Sequence, residues 1–439
     1  MTGKEIIFES WNEHLLEEEK ARLANIQKLI DFYNGEHEKY ITPYLNLKKL
    51  DKFPYYETNI TKRIIKKVAE VYKVAPIRYF KEKQNDKYNE ITQRKNIRMK
   101  TIERQSRLLG TLGVQPIVVE KNGKKTFDYL MLRSFTAYLE GLKPKAIKYL
   151  VADDGEEKHY AFWDDEQHLI LNSDNIPVDP KPFGFEDEEN PYGVIPFVWC
   201  PNDFLIEDFY NTGGSADDLI NANLQIDLML SEMAHKYRYI AFNPIWGKGN
   251  VKSVDVDYRY DEILWLDDPD AEIGNLSTDH NFASDIELLK LQMQIIKDHY
   301  GLSFQWGISG NTSGFALVVQ NIDHKDDLEN MVDVCRDWEN DLLEMEKIVG
   351  DVHGLKVPDK DFRIDYAEVS TPISIEEQNK KWDFEFKNKL SSRADYWRAQ
   401  NPDISDEQIE EKQLKIAEEN KTVKIAEQTE PTVTDLFNA

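Results

Sequence analysis

The chain has 439 residues, of which 41% are hydrophobic and 31% charged, and its formal charge is −26. This length is typical of two or more modules. The excess of acids argues against tight binding of nucleic acid, which needs cations that neutralise phosphates. A role of the acids in solubility explains the charge equally well. No apolar run approaches the ~18 residues of a membrane span, and the two cysteines, Cys200 and Cys335, lack metal-ligand spacing and are expected to be buried small hydrophobes.

The first part of the chain is predicted to be helical and then to change to strands. Apolar residues at steps of three and four predict helices over 5–35, 59–73 and 97–110. Beyond Gly110 the apolar period changes to two, which is typical of antiparallel strands separated by turns. These strands are expected near 114–120, 126–132, 146–152, 158–163 and 167–171.

Two long helices flank a small β-rich insertion in the middle of the chain. Helical periodicity covers 216–240, with Ser215 as a candidate cap, and 282–300, while 245–279 has strand and turn character. A glycine-rich loop then leads into 315–349, ~52 Å of helix if straight. A compact monomer would have difficulty covering these helices, so a ring of copies is favoured.

The C-terminal part alternates between loop, strand and helix. A loop is predicted over 350–358, a strand over 362–369, and helices over 373–390 and 404–419. The polar residues that follow are expected to be disordered. The chain as a whole is therefore predicted to be α+β.

Several short stretches, in a fixed order along the chain, carry a family resemblance. They are Asp31-Phe32-Tyr33-Asn34-Gly35-Glu36, Asn59 to Ile65 with Ala75-Pro76-Ile77, a strand at Asn190-Pro191-Tyr192-Gly193-Val194-Ile195-Pro196, Gly310-Asn311-Thr312-Ser313-Gly314-Phe315-Ala316-Leu317 opening a long helix, and Ser391 to Asp395 with Asn401 to Ile404. Together they resemble the portal proteins of siphophage-type bacteriophages, the head-to-tail connector family.

This resemblance implies a portal fold assembled as a ring, usually of twelve subunits. Its parts would be a wing (1–215), stem helices (216–240 and 282–300), a clip (241–281), a tunnel loop (301–314), a long wing helix and strand (315–370), a crown (371–420) and a disordered tail (421–439).

The resemblance also implies a function and partners. The ring would occupy one capsid vertex of the virion, assembled in the bacterial host cytoplasm, and would pass double-stranded DNA without sequence specificity during packaging and ejection. Terminase, head–tail adaptor, scaffold and capsid proteins would be its partners. No membrane, cofactor, metal or catalytic residue is expected, because no nucleotide-binding or hydrolase motif is present.

Three groups of side chains are candidates for the channel. The tunnel loop would present Phe304, Gln305, Trp306, Gly307, Ile308, Ser309, Gly310, Asn311 and Thr312 to DNA; alternatively it is an ordinary helix connection with core aromatics. The clip would present Asp255, Asp257, Asp261, Glu262, Asp267, Asp268 and Asp270 to the channel or to terminase and adaptor; alternatively these acids form a solvated outer face. On the stem, the basic residues Lys236, Arg238 and Lys290 would face DNA, or would pair with nearby acids.

Two other functions remain open on the sequence. Carboxylate clusters such as Asp153-Asp154 and Asp164-Asp165-Glu166 would suit an acidic metal-dependent hydrolase or nuclease, although adjacent acids in loops are usually solvated. A different structural ring of the phage neck is the other alternative.

Overall fold

The computed structural model describes most of the chain. The described residues are 13–44, 55–81, 83–153, 155, 157–185, 188–204, 208–241, 245–248, 272–275, 281–302, 314–358, 361–367, 375–400, 408–409 and 411–416. Helices and antiparallel sheets are mixed, which confirms the α+β prediction. The chain forms two compact units, one of Met1–Ile308 with Gln320–Val369 and one of Ser309–Val319 with Ser370–Ala439.

Most of the described helices belong to the first unit. In chain order they are α1 (Glu13–Asn34), α2 (Glu38–Ile41), α3 (Ile60–Val68), α4 (Asp86–Ile91), α5 (Lys95–Leu109), α6 (Asp217–Ala241), α7 (Phe282–His299) and α8 (Gly314–His353), whose residues up to Val319 belong to the second unit, followed in the second unit by α9 (Ile375–Lys387) and α10 (Arg393–Gln400). None of the described helices is long and apolar enough to cross a membrane.

The strands of the described residues form four small antiparallel sheets. The strands are β1 (Ile77–Phe80), β2 (Lys83–Gln84), β3 (Thr111–Lys121), β4 (Lys124–Leu132), β5 (Thr136–Glu140), β6 (Lys143–Asp153), β7 (Lys158–Trp163), β8 (His168–Leu171), β9 (Pro177–Val178), β10 (Val198–Pro201), β11 (Ile245–Lys248), β12 (Glu272–Asn275) and β13 (Phe362–Asp365). Their orders are β13-β1-β2, β10-β3-β4, β11-β12 and the five-stranded meander β5-β6-β7-β8-β9.

One hydrophobic core joins the long helices to the β10-β3-β4 sheet. Phe32 of α1, Ile65 of α3, Met99 of α5 and Trp338 of α8 are at most 1% exposed within it. In each of these helices the apolar residues recur at helical spacing on the side that faces the core. Burial of that side against the neighbouring helices stabilises each helix. Cys200 and Cys335 are buried in the same core, as predicted.

A second, aromatic cluster attaches the five-stranded meander to the rest of the first unit. Phe135 stacks on Trp199 at 5.1 Å between ring centroids, and Trp163 and Phe197 are buried beside them. In the second unit, Trp382 of α9 meets Tyr396 of α10 edge to face at 5.1 Å. Aromatic pairs of this kind add to the stabilisation from buried area.

Several predicted boundaries are wrong for identifiable reasons. The helix predicted over 59–73 ends at Val68, because the buried carboxylate of Glu103 accepts hydrogen bonds from the backbone amides of Val71 and Tyr72 and holds them outside a helix. The loop predicted from Gly350 begins later, since α8 continues to His353. The strand predicted over 362–369 ends at Asp365.

The segment expected to be a strand at Asn190–Pro196 is a turn. The Asn190 amide donates to the carbonyls of Asp164 and Val194 at 2.7 and 2.8 Å, and its side-chain oxygen accepts from the Tyr192 amide. The strand begins at Val198, after the second proline. Ser215, the expected helix cap, instead donates its hydroxyl to Thr212 O and to Asp217 Oδ2.

Candidate functional site

The two long helices flanking the insertion pack against each other as an antiparallel pair. At one end, Lys236 Nζ of α6 lies 3.7 Å from Asp285 Oδ2 of α7. At the other end, the Tyr300 hydroxyl just after α7 donates to Asp218 Oδ1 at 2.9 Å. Contacts between the end of one helix and the start of the other are possible only when the two run in opposite directions.

A β-hairpin lies between the two helices in the chain. Strands β11 and β12 pair antiparallel, with Ile245 opposite Asn275 and Lys248 opposite Glu272. The chain therefore runs out along α6, through a small β element, and back along α7. This order of elements matches the sequence prediction.

Helix α7 has two apolar faces. Met293 and Ile296 are buried at 7% and 5% exposure, as part of the main core. On the opposite side, Leu288, Leu291 and Ile295 follow at steps of three and four and are 48%, 55% and 55% exposed. Contiguous exposed apolar surface is common where proteins contact one another. We call these three residues the apolar stripe.

The start of the helix pair is held to the N-terminal helices by a buried polar network. Asn223, Asp227 and Ser231 of α6, each 0% exposed, follow at steps of four on one side of the helix. The Asp227 carboxylate accepts from His37 Nδ1 and from the Thr58 amide, both at 2.8 Å. Buried polar groups with every partner satisfied fix one relative position of the elements that carry them.

His37 lies at the centre of that network. Its second ring nitrogen, Nε2, is 3.0 Å from the carbonyl oxygen of Phe32, so both nitrogens face acceptors. Burial disfavours the charged ring, but the bonds to Asp227 and Phe32 and the charges of Asp227 and Glu57 together raise the pKa of His37 above its ordinary value.

A second buried network ties α8 to the β1 strand and α5. Arg78 binds Glu339 through Nε and Nη2 at 3.0 and 2.5 Å, and Lys95 Nζ lies 3.1 Å from Glu339 and 2.8 Å from Glu346. Burial opposes ionisation of Glu339, yet Arg78 and Lys95 hold its pKa at about 2. Because Tyr129 and Tyr88 also donate to Glu346, at 2.6 and 2.8 Å, this carboxylate is fully engaged.

A groove of roughly 690 Å³ opens where α6 begins and α7 ends. Arg107, Asp217, Asp218, His299 and Asp327 contribute to its walls. Burial and the adjacent Asp218 raise the pKa of Tyr300, which also lines the groove, well above its ordinary range. This groove could not be predicted from the sequence, because its walls come from six segments that are distant along the chain.

The structure describes only part of the predicted channel groups. Lys236 pairs with Asp285 across the helices, and Lys290 is exposed on α7. The side chain of Arg238, the tunnel loop Phe304–Thr312, the seven clip acids (Asp255, Asp257, Asp261, Glu262, Asp267, Asp268 and Asp270) and the tail 421–439 lie outside the described residues.

The carboxylate clusters do not converge on a common site where they are described. Asp164 Oδ1 accepts from the amides of Glu166 and Gln167, and Asp153 Oδ1 accepts from the Gly155 amide, so each acid closes its own turn. In the part of the chain that the structure covers, no group of three or more His, Cys, Asp or Glu is placed to hold a metal ion.

Comparison with known proteins adds no relative. Neither a protein-family model nor a curated protein sequence matches this chain.

Proposed function

We propose that the chain is the subunit of a bacteriophage portal. About twelve copies form a ring at one capsid vertex, and double-stranded DNA passes through its centre during packaging and ejection. Terminase, the head–tail adaptor, scaffold and capsid proteins dock on the ring, which itself catalyses no reaction. Its place is the virion, after assembly in the cytoplasm of a bacterial host.

The observation that carries this proposal is the antiparallel helix pair with its apolar stripe. Leu288, Leu291 and Ile295 are about half exposed, although leucine and isoleucine are among the most often buried residues. A second copy of the same pair, placed beside the first, would bury the stripe. Repeating that step around an axis yields a tube of helices with a hairpin at the end of each pair.

The first test is negative-stain electron microscopy of the purified protein with its mass measured in parallel. Rings of about a dozen 51.4-kDa subunits with a central hole are expected. A monodisperse monomer at every concentration would contradict the ring.

A matched pair of substitutions tests the stripe itself. Ile295→Glu places a charge on the stripe, whereas Ile176→Glu makes the same change at a residue of nearly equal exposure, 56% against 55%, in the five-stranded sheet region. We expect Ile295→Glu to prevent ring formation and Ile176→Glu to leave the rings intact. Equal behaviour of the two variants would contradict the assigned role of the stripe.

The two alternatives give different outcomes. A metal-dependent hydrolase would show divalent-cation-dependent activity that is lost on removal of one acid. Another ring of the phage neck would assemble in the same way but would not support terminase-driven packaging of DNA into capsid shells.

A further inference from the structure

Residues 59–110 form a basic segment within an acidic chain. They contain 15 Lys and Arg against five Asp and Glu, whereas the whole chain has a formal charge of −26. Among those five acids, Glu103 is buried, and Glu90 is paired with Lys124. Four of the cations are also engaged, since Arg78 and Lys95 are buried against acids and Arg94 and Arg98 pair with Asp128. The remaining cations still outnumber the remaining acids, so the surface of this segment is positive in a molecule whose net charge is negative.

The outward side of helix α3 is entirely basic. Thr61, Ile64, Ile65 and Val68 are buried. The residues between them, Lys62, Arg63, Lys66 and Lys67, occupy the remaining arc of the helix, and the last three are exposed. Helix α3 therefore presents four cations in little more than two turns.

Helix α5 extends this surface. Its residues Lys100 and Arg104 lie one turn apart, and Glu103, between them in the sequence, binds the backbone just after α3. Lys62 Nζ is 5.6 Å from the ring centre of Tyr33, and burial raises the pKa of the same tyrosine while Arg104 opposes the rise. We call Lys62, Arg63, Lys66, Lys100 and Arg104 the basic face.

Among the described residues, Lys62, Arg63, Lys66 and Lys100 form no ion pair, whereas the charge of Arg104 acts on the buried Glu103. Within the same part of the chain, the buried Nε atom of Arg104 has no hydrogen-bond partner. Unpaired cations at this density repel one another. An anionic surface brought against them would remove that repulsion.

The long helix α8 presents the complementary surface. Asp326, Asp333, Asp337, Asp341 and Glu344 fall within about 80° of arc at ~100° per residue, and all five are exposed. Desolvation and the like charges of Glu344 and Asp337 raise the pKa of Asp341 above its ordinary value. We call these five residues the acidic stripe. No ion pair among the described residues joins it to the basic face.

We propose that the basic face of one subunit docks on the acidic stripe of the next copy of this chain. This inference rests on the proposed ring and names one of its interfaces. The contact is heterologous, since two different surfaces of the same chain meet, and a heterologous contact forms a ring when the rotation from copy to copy closes after a whole number of subunits. Charge complementarity of this kind sets which surfaces pair and speeds their encounter.

A second copy fits this surface better than nucleic acid does. The acidic stripe occurs once per subunit, as the basic face does, so each contact is matched in number. Both surfaces stand on helices anchored in the same core, through Ile65 and Trp338, so the backbone that carries each surface is already in place before contact.

The test uses two triple charge reversals in the full-length chain. Lys62→Glu, Arg63→Glu and Lys66→Glu together reverse the basic face, and Asp337→Lys, Asp341→Lys and Glu344→Lys together reverse the acidic stripe. Each variant alone opposes like charges at every contact, and we expect its assembly to weaken by on the order of a hundredfold or more. An equimolar mixture restores opposite charges at every contact, so it should form rings in which the two variants alternate.

The outcomes separate this inference from the proposed function. Rings from the wild type and from the mixture, but not from either variant alone, support it; recovery in the mixture also shows that both variants fold. If each variant forms rings alone, or if the mixture stays unassembled while the wild type forms rings, the inference is overturned and the ring stands. If the basic-face variant assembles normally but is no longer retained on double-stranded DNA, the basic face binds nucleic acid instead. If the wild-type protein forms no rings, the proposed function is contradicted as well.

Discussion

His37 has an acceptor at each ring nitrogen, and only the doubly protonated ring can donate to both. The residue lies in the turn after α1, far in sequence from its partner Asp227 on α6. The pair thus anchors the helix pair to the N-terminal part of the first unit. A histidine with a raised pKa makes that anchor dependent on pH.

We therefore predict that His37→Gln lowers the free energy of unfolding more at pH 6 than at pH 9. Since the folded-state pKa is raised, the stabilisation is fully present below the unfolded histidine pKa of ~6.5 and is lost as the pH rises through the folded pKa. We expect a loss of ~3 kcal/mol at pH 6, typical of breaking a buried pair.

Denaturant unfolding at several pH values measures this difference. The control is the same substitution in an Asp227→Asn background, in which the partner charge is gone and the effect of His37→Gln should no longer vary with pH. A penalty for His37→Gln that is equal at pH 6 and pH 9 in the natural background would show that the ring is neutral.

Single residues also show where inference from the sequence stops. The pairs His37–Asp227 and Arg78–Glu339 are separated by 190 and 261 positions. In one sequence, each of these residues looks like an ordinary surface charge. Only the packing of distant helices makes them buried partners, so the networks could not be predicted, whereas Cys200 and Cys335 could, from their apolar neighbours.

At the scale of elements, α8 shows why a glycine was mistaken for a helix end. A Cβ added at Gly350 would lie 2.7 Å from the Leu355 carbonyl oxygen and 3.3 Å from Val357. The chain after α8 folds back onto the helix at this point, and the Leu355 amide donates to Gly350 O at 2.7 Å. The glycine therefore serves a close approach, and Gly354, with φ +76°, follows the last helical residue.

This geometry predicts an unusual response to alanine. In an ordinary helix interior, Gly→Ala stabilises by ~1 kcal/mol, but Gly350→Ala should destabilise by ~1–3 kcal/mol because the methyl group overlaps a backbone oxygen. Thermal unfolding measures the change. Gly213→Ala is the control, since nothing lies within 4 Å of its added Cβ. A raised melting temperature for Gly350→Ala would contradict the close approach.

The bounds of an element agree with the sequence prediction where its apolar residues keep one period over many residues. Helix α7, expected over 282–300, is Phe282–His299, because its inward residues keep a helical period and Asn281 caps its start. Short elements such as β5 and α4 were missed, because five or six residues carry too little periodicity. The two helices and the strand character of the insertion between them were predicted, but the second apolar face of α7 was not.

For the whole molecule, the proposed conduit depends on a surface that DNA does not adhere to. We predict that Asp267→Lys, Asp268→Lys and Asp270→Lys together slow DNA packaging at low salt, since added cations release counterions from DNA and bind it. Raising the salt concentration should restore the rate. Single-particle packaging assays at several ionic strengths provide the measurement.

The matched control changes charge equally elsewhere. Glu120, Asp174 and Asp179 are exposed on the sheets of the first unit, and their replacement by lysine should leave the packaging rate unchanged. If both triple variants slow packaging equally, the change in net charge alone explains the effect. If the clip variant does not slow packaging, the clip acids do not line the channel.

Contacts at one end of the helix pair fix the two points between which the insertion lies. Tyr237 and Phe282 meet edge to face at 6.0 Å, beside the pair Lys236–Asp285, so the points where the chain leaves and re-enters the body are fixed by the body itself. Under the proposed function, we expect mutations between those points to change which proteins dock on the insertion, at little cost to the core. Exchange of this one segment would then give such a protein a new docking partner.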